Sequence, residues 1–241
     1  MCLWDVKSGQ LLWKRPISFI QKADEYYTLT AIVWSFDQKW IATGSANGTI
    51  QLWDAQTGDF SWRADVGKGD VTAAAFSKNG KIIAAASDNG TTIKLIHTEN
   101  GGLIEAFDGG LCTVQSIVFD EGFGKLRVGQ QDGNISEWDL NSGKQINASA
   151  QPCRGIGLYG WETSFSSDLD IAVKRTSMSE VAILNTQNGK AIKSAKANNS
   201  NLHSAVSGTG ERVIISEYGG FHLYDLKTGE DRMIDNCVGG A

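Results

Sequence analysis

Proline, basic charge and long apolar runs are all scarce in this sequence of 241 residues. It contains 2 prolines, and no apolar run approaches the roughly 18 residues that identify a candidate membrane-spanning helix. Acidic residues number 27 against 22 lysines and arginines, so a net charge of −5 leaves no general basic field. These scarcities exclude collagen-like and proline-rich chains and predict a soluble protein with no membrane partner. They also argue against nucleic acid as the main partner.

Cysteine is sparse as well, and no CxxC pair is present. The four cysteines, Cys2, Cys112, Cys153 and Cys237, stand singly, which suits a reducing compartment better than a disulfide framework. A repeat motif follows Met1 almost at once, so the sequence predicts no signal peptide and a cytoplasmic location. We therefore expect free thiols, with a Cys2–Cys237 bridge as the alternative if the first and last repeats touch.

What the chain has in abundance is glycine (28 residues), tryptophan (8 residues) and one repeated motif. Six segments share an apolar–aromatic–polar step, a short linker and a glycine, as in QLWDAQTG at residues 51–58. Their anchor residues follow one another at intervals of 40 to 49 residues, which predicts a repeat architecture. The anchors are Trp4, Trp53, Ile96, Trp138, Leu184 and Tyr224.

A second landmark supports the register of the repeat. A bulky or apolar residue followed by a small polar or acidic one precedes each of the last five anchors by 18 to 20 positions. Because the landmark and the anchor keep nearly the same spacing in five repeats, they indicate a genuine repeat. The landmark residues are Trp34, Phe76, Phe119, Phe165 and Val206.

Each repeat divides into four short strands separated by turn-forming residues. In the second repeat the pattern predicts strands over Leu29–Trp34, Trp40–Gly44, Thr49–Trp53 and Phe60–Arg63. Asn47-Gly48 predicts the hairpin turn between the second and third strands, because both residues tolerate positive φ. No long stretch shows a helical period, and four strands per repeat indicate one propeller blade.

The repeat resembles that of the WD-repeat β-propellers. Residues Ile41–Asp54, IATGSANGTIQLWD, are similar to the family's second-to-third-strand signature. The Trp-Asp pair itself occurs at Trp4-Asp5, Trp53-Asp54 and Trp138-Asp139. The resemblance covers nearly the whole chain and implies an all-β fold, a β-propeller of WD-repeat type. It implies little about function, because this fold serves many unrelated partners.

Several positions depart from the WD-repeat pattern. The family favours aspartate six residues before the anchor, which only Asp132 supplies, and a hydroxyl ten residues before it, which Thr43 supplies. The family's Gly-His pair at the first strand is missing throughout. We therefore expect these blades to rely on packing instead of the family's hydrogen-bonded network.

A second resemblance concerns the spacing of tryptophans. In Trp4–Trp13 and Trp53–Trp62 a second tryptophan follows the aspartate by eight residues, which is similar to the tryptophan-docking motif of quinoprotein dehydrogenase propellers. In those proteins an indole joins neighbouring blades. Only two repeats carry the motif, and no vicinal cysteine pair accompanies it. A quinoprotein-like dehydrogenase is therefore the alternative from another functional class.

Residues suited to catalysis or metal binding are few. The three histidines, His97, His203 and His222, have no second ligand at metal spacing. The sequence has no HExxH, phosphate-binding loop or paired-carboxylate motif. We therefore predict a protein that is not an enzyme, with no catalytic residue, no metal and no cofactor.

Function in a propeller belongs to the loops at the ends of its blades. The longest loop, Lys14–Thr28, contains paired tyrosines of the kind that anchor protein interfaces, with a solvated insertion as the alternative. In the fifth repeat, Lys174–Met178 replaces a tight turn; it suits an adaptable binding surface, and decay of a redundant blade is the alternative. The candidate protein-binding residues are Tyr26, Tyr27, Lys68, Arg154, Arg175, Met178 and Tyr218.

The number of predicted strands indicates how many blades the domain contains. We predict a single propeller domain over residues 1–241, with five complete four-stranded blades and a partial N-terminal blade, 22 strands in all. A ring that ends on half a blade leaves an unpaired strand edge, which proteins avoid. Either Met1 is not the natural beginning of the domain, or an additional chain or region completes the ring. The predicted blade boundaries are 1–15, 16–63, 64–107, 108–149, 150–196 and 197–241.

The sequence thus predicts a non-catalytic interaction scaffold that binds a protein or peptide partner through propeller loops. The alternative within binding proteins is a propeller portion of a larger signalling or sensor protein, packed on its own parent chain. The dehydrogenase alternative differs in kind, since it requires a cofactor site that the sequence does not show.

Overall fold

Strands and turns make up the described part of the chain. The computed structural model describes 22 strands of 3 to 7 residues, with no helix among the described residues. Asn, Asp, Gly and Ser at the strand ends favour tight turns, which is why the strands are short. The described residues are 1–15, 28–87, 92–108, 112–120, 124–131, 135–147, 163–166, 168–177, 180–196, 204–207, 209–217 and 220–235.

The chain divides into two compact units, of which the first is Met1–Gly124. It begins with a two-stranded sheet, β1 (Cys2–Trp4) and β2 (Leu11–Lys14). Two four-stranded sheets follow, with antiparallel strands in chain order. They are β3 (Leu29–Trp34), β4 (Trp40–Ser45), β5 (Thr49–Asp54) and β6 (Phe60–Asp65), then β7 (Val71–Phe76), β8 (Ile82–Ser87), β9 (Thr92–His97) and β10 (Leu103–Asp108). Strand β11 (Val114–Asp120) ends the unit.

The second unit, Lys125–Ala241, continues the same repeat. It begins with β12 (Lys125–Gln130), β13 (Ile135–Asp139) and β14 (Gln145–Asn147). Two four-stranded antiparallel sheets follow. They are β15 (Thr163–Phe165), β16 (Ile171–Ser177), β17 (Glu180–Asn185) and β18 (Ala191–Lys196), then β19 (Ser204–Val206), β20 (Arg212–Glu217), β21 (Gly220–Asp225) and β22 (Asp231–Asp235).

Burial within the β3–β6 sheet shows how neighbouring sheets stack. Most residues of β4 and β5 are buried, on both sides of the sheet, so both faces of these central strands are covered. In β3 only alternate residues are sheltered: Ala31 and Val33 pack against the core, while Ile32 and Trp34 are exposed. Because successive side chains point to opposite faces of a strand, β3 is covered on one face only.

Close packing between sheets depends on small residues in second strands. A Cβ added to Gly44 of β4 would lie 2.6 Å from the Val71 side chain of β7. In the second unit, a Cβ on Gly129 of β12 would lie 2.8 Å from the Phe165 ring of β15. The first strand of one sheet thus packs on the second strand of the sheet before it, and the cores lie between the sheets. The core of the second unit contains Val173, Val181, Ile183, Val213, Ile215 and Tyr224.

The predicted strand pattern is confirmed. Strand β3 has the predicted bounds, and the three predicted strands that follow it extend one or two residues further. The Trp53 indole donates a hydrogen bond to the Thr43 hydroxyl at 2.9 Å, so one link of the WD-repeat network is present in this sheet. The single domain over 1–241 and its blade boundaries stay predictions.

The prediction that Lys174–Met178 replaces a tight turn is wrong for residues 174–177. Strand β16 continues through Ser177, and Lys174 pairs with Thr163 on one side and Ala182 on the other. A register shift between Arg175 and Ser177 accommodates the longer strand. Polar composition suggested a loop, but backbone pairing on both sides determines the strand.

The expectation of free thiols is wrong for one cysteine. Cys112 is disulfide-bonded, whereas Cys2 is free and exposed, so the alternative Cys2–Cys237 bridge is wrong as well. Sequence spacing does not reveal which cysteines approach each other, because a disulfide requires proximity in the folded chain. Disulfides are typical of oxidising compartments, and the cytoplasmic location stays a prediction.

Candidate interaction surfaces

The turn between the third and fourth strands is built in the same way in most repeats. The Asp54 carboxylate accepts hydrogen bonds from the backbone N–H groups of Gln56 (2.9 Å) and Thr57 (2.8 Å). Gly58 closes the turn by donating to the Asp54 carbonyl at 2.9 Å, and its φ of +72° favours glycine. Equivalent side chains cap the turns that begin at Asp139, Asn185 and Asp225.

These capping hydrogen bonds also shift the acidity of the aspartates. A hydrogen bond from the residue three positions on is the largest cause, and it lowers the pKa of each carboxyl below the ordinary 3.8 because it stabilises the charged form. The aspartates are Asp5, Asp54, Asp139 and Asp225, and their partners are Ser8, Thr57, Ser142 and Thr228.

The capped turns make stability depend on acid pH. A carboxyl whose folded pKa lies below 3.8 stabilises the fold above that pH and loses its contribution as pH falls through the folded pKa. We expect the free energy of unfolding, measured by urea denaturation, to fall between about pH 5 and about pH 2. Changing Asp5, Asp54, Asp139 and Asp225 together to asparagine should flatten this dependence.

The fifth repeat supplies a matched control for the acid experiment. Asn185 already occupies the capping position there and accepts the same backbone hydrogen bonds. Asn185→Asp should therefore steepen the loss of stability below about pH 4. An acid dependence that is the same in the wild type, the fourfold variant and Asn185→Asp would contradict the role of these carboxylates.

The indole of Trp13 joins the first sheet to the second. Its Nε1 donates a hydrogen bond to the Ala55 carbonyl at 2.9 Å, in the turn after β5. The ring lies against Gly58, where an added Cβ would come within 2.8 Å of it. Trp13 is buried in a cluster with Ile41 and Trp53. The spacing Trp4–Trp13 therefore does place an indole on the neighbouring sheet.

Trp62 repeats this arrangement one sheet further on. Its Nε1 donates to the Thr98 carbonyl at 2.8 Å, in the turn after β9. A Cβ on Gly101, which has a φ of +72°, would lie 2.8 Å from the ring. Each docked indole thus needs a glycine in the next turn, both for the positive φ and for the space.

A lysine takes the docking position in the fifth repeat. The Lys193 ammonium lies 4.6 Å from the centre of the Tyr224 ring and 3.7 Å from the Asp231 carboxylate. No atom outside its own neighbours lies within 4 Å of a Cβ built on Gly229, the turn glycine of the last sheet. Here a cation–π contact and an ion pair stand in place of an indole.

A charged cluster lies between neighbouring repeats of the second unit. Arg127 of β12 lies 3.5 Å from Glu137 and 3.3 Å from Asp170, which belongs to the turn before β16. Lys125 lies 3.2 Å from Glu137. Glu137 is shared by Lys125 and Arg127, and Arg127 also contacts Asp170, so these charges pair with one another and do not form an open ligand site.

Two of the predicted binding residues lie within the described part of the chain. Lys68 is exposed in the segment between β6 and β7. Arg175 lies in strand β16 instead of a loop. Lys68 belongs to the first unit and Arg175 to the second, and their role in binding stays a prediction. Tyr26, Tyr27, Arg154, Met178 and Tyr218 lie outside the described residues.

The sequence did not indicate the exposed aromatic residues at the turn from β3 to β4. Trp34 and Phe36 are 45% and 70% exposed. With Ser35 and Gln38 they line an open cleft of about 440 Å³. Trp34 occupies the same repeat position as the buried Phe76, so the repeat alone predicts a core residue. The only sequence feature that could have indicated these exposed aromatic residues is Phe36, an apolar residue inside a polar turn.

Among the described residues, no group of three or more His, Cys, Asp and Glu side chains is placed to hold a metal ion. His222 pairs with Asp231 at 3.0 Å and stacks on Tyr224. No helix in the described part of the chain is long and apolar enough to cross a membrane.

Repeated four-stranded sheets, capped turns and docked indoles define the class of this protein, a repeat β-propeller. A family model described as outer membrane protein assembly factor BamB matches residues 3–234, and the chain belongs to this family. The match covers both units and both tryptophan-docking sites.

Curated relatives confirm the resemblance to WD-repeat propellers. The chain is 28% identical to protein LST8 homolog of Dictyostelium discoideum over 42% of this chain and 34% of that protein. It is 28% identical to a guanine nucleotide-binding protein subunit beta of Oryza sativa over 65% of this chain and 44% of that protein. It is 26% identical to U3 small nucleolar RNA-associated protein 21 homolog of Schizosaccharomyces pombe over 61% of this chain and 16% of that protein. The chain thus spans less than half the length of these relatives.

Proposed function

We propose that this chain is a non-catalytic interaction scaffold, which binds a protein or peptide partner through the propeller loops at the ends of its sheets. The observation that carries the proposal is the rigid support of the sheets that bear those loops. Capping side chains and turn glycines hold the third-to-fourth-strand turns in one conformation, and docked indoles join neighbouring sheets. A rigid scaffold limits the entropy that is lost on binding, which favours affinity.

The relatives support binding of a protein partner in general. One of them is by name a subunit of a guanine nucleotide-binding protein, so it assembles with other protein chains. A few aromatic and arginine side chains supply most of the affinity in such interfaces. For this chain we assign the affinity-determining contacts to Tyr26, Tyr27 and Arg154, and we place Lys68 on the exposed rim of the interface. The comparisons do not favour the dehydrogenase or the parent-chain alternative over this function.

The proposal is tested by capturing partners with a loop variant. Tyr26, Tyr27, Lys68 and Arg154 are changed together to alanine, and partners captured from the source organism are identified and then purified. We expect the affinity for a purified partner to fall by about tenfold or more, since several anchors are lost at once. The urea midpoint reports whether the variant keeps its stability.

The matched control removes cations from the third-to-fourth-strand turns. Lys7, Lys190 and Lys227 are exposed there, so their change to alanine should leave both partner affinity and the urea midpoint unchanged. Partner affinity that survives the fourfold loop variant, at an unchanged midpoint, would overturn this choice of surface.

A further inference from the structure

Lys193 joins two neighbouring sheets of the second unit through its charge. It lies on β18, eight residues after Asn185, at the position where the first two repeats carry their docked indoles. Its Nζ lies 4.6 Å from the centre of the Tyr224 ring and 3.7 Å from Oδ2 of Asp231, both in the β19–β22 sheet. A cation–π contact and an ion pair therefore connect the fifth repeat to the sixth, and we call these two contacts the Lys193 link.

His222 contacts the same ring and the same carboxylate from within the β19–β22 sheet. Its Nδ1 lies 3.0 Å from Oδ1 of Asp231, and it donates this hydrogen bond because an ionised carboxylate only accepts. The imidazole also stacks on Tyr224, with the ring centres 5.7 Å apart and 16° between the planes. Lys193 of one sheet and His222 of the other thus share one carboxylate and one aromatic ring.

Strand register indicates which other charged residues stand nearest to His222. The residues paired directly with it, Ile215 of β20 and Met233 of β22, are apolar, and a charged residue stands two positions further along each of these strands. On the facing sheet, Arg175 pairs with Val181, whose side chain lies in the core that the two sheets share. The charged residues are therefore Asp231, Glu217 and Asp235 on the sheet of His222, and Lys193 and Arg175 on the facing sheet. The positive charges thus come from the facing sheet, and the negative charges come from the sheet of His222.

Protonation of His222 changes how strongly Asp231 attracts Lys193. Histidine is the side chain that typically gains or loses its charge between pH 5 and 8. A neutral imidazole leaves the negative charge of Asp231 to Lys193. An imidazolium at 3.0 Å pairs with that charge through a charge-assisted hydrogen bond, and it also repels the ammonium group. The side chains of Lys193 and His222 are 33% and 21% exposed, so solvent screens these charges only in part.

We infer that protonation of His222 releases Lys193 and so loosens the contact between the fifth and sixth repeats. The imidazolium retains Asp231 and the Tyr224 ring for its own sheet, and the Lys193 link weakens as pH falls from about 8 to about 5. The two docked indoles donate to backbone carbonyls, which do not titrate in this range, so the effect belongs to this pair of repeats. The inference goes beyond the proposed function, since it concerns how two sheets are joined and holds whichever partner binds.

An NMR titration of the wild-type chain from pH 8 to pH 5 tests the release directly. Protons that lie over an aromatic ring are shielded by it, so the Lys193 Cε protons should resonate upfield at pH 8. We expect them to return to ordinary lysine positions with the same midpoint at which the His222 ring protons titrate. The chain has 3 histidines, and His222→Gln assigns the His222 signal. In that variant the Lys193 signals should stay upfield down to pH 5.

The reciprocal effect on His222 gives a second, quantitative test. If protonation of His222 weakens the Lys193 link, removal of the Lys193 charge must strengthen proton binding to His222 by the same factor. Lys193→Met keeps the apolar part of the side chain. It should raise the His222 titration midpoint by about 0.3–0.7 pH units, a two- to fivefold change that matches a partly exposed ion pair. The matched control is Lys190→Met, which removes an exposed lysine from the turn before β18 and should leave the midpoint within about 0.1 unit.

Three results would each overturn the inference. They are Lys193 signals that do not move during the titration, Lys193 signals that move equally in His222→Gln, and a His222 midpoint that does not rise in Lys193→Met. The wild-type titration requires no variant to fold, so it decides the inference even if Lys193→Met is unstable. Neither titration involves a partner, so this inference and the proposed function can fail separately.

Discussion

Trp62→Ala is expected to lower the free energy of unfolding by about 3 kcal/mol, at the lower end of the range for removing a large aromatic side chain. The indole packs beside the core between the β3–β6 and β7–β10 sheets. It also donates the 2.8 Å hydrogen bond to the Thr98 carbonyl. Urea or thermal denaturation measures the loss. A loss below about 1 kcal/mol would contradict a joining role for this indole.

Two further substitutions separate the contributions to this loss. Trp62→Phe keeps a ring over Gly101 but removes the donor, so it should cost about 1 kcal/mol from the hydrogen bond and somewhat more from imperfect packing. Trp34→Ala removes an equally large but half-exposed side chain, so it should cost within about 1 kcal/mol. Equal losses for Trp62→Ala and Trp34→Ala would show that docking adds nothing.

Gly101→Ala is expected to destabilise the protein by about 3 kcal/mol. Its φ of +72° costs an L-residue about 1–2 kcal/mol. The new methyl group would also lie 2.8 Å from the Trp62 ring, so the indole has to move out of its place, which adds about 1–3 kcal/mol. The measurement is the free energy of unfolding from urea denaturation.

The turn glycines that carry no indole are the controls for this substitution. Gly229 and Gly9 have φ values of +75° and +67°, and nothing lies within 4 Å of a Cβ at either position. Alanine at these sites should therefore cost only the backbone strain, about 1–2 kcal/mol. A cost at Gly101 no greater than the cost at Gly229 would mean that the ring does not need the space.

The regular part of the fold follows from local patterns. Turn residues and strand alternation predict β3 at its observed bounds, because these signals act over a few neighbouring residues. The eight-residue spacing from Asp54 to Trp62 predicts the docked indole, since the repeat places the next turn glycine opposite it. Properties that each repeat carries within itself are therefore visible in the sequence.

Properties that depend on what lies beside a repeat are not visible in this way. Trp34 has the landmark position of a core residue, yet it is 45% exposed, whereas Phe76 at the equivalent position of the next repeat is buried. Lys174 reads as part of a loop, but it is paired in β16 by two neighbouring strands. Cys112 stands alone in the sequence, and only the folded chain brings a second cysteine to it.

In the candidate interaction surfaces, too, features within one repeat are predictable and features that depend on neighbouring elements are not. The capped turns are predictable, because Asp54 contacts its own neighbours. The exposure of Ile32 and Trp34 is not predictable from the sequence. Whether an apolar strand face is exposed depends on what packs against it. The predicted binding residues, such as Tyr26, follow no repeat period, so the sequence alone offers only their chemistry and their role stays a prediction.

Rigid support of the proposed binding loops requires neighbouring sheets to be held together by docked indoles. A double-mutant cycle of Trp62→Ala and Gly101→Ala, measured by urea denaturation, tests this most directly. Without the ring, Gly101→Ala should cost only its backbone strain, so the two substitutions together should cost about 1–3 kcal/mol less than the sum of the single losses. Losses that add within about 0.5 kcal/mol would contradict docking between these two sheets.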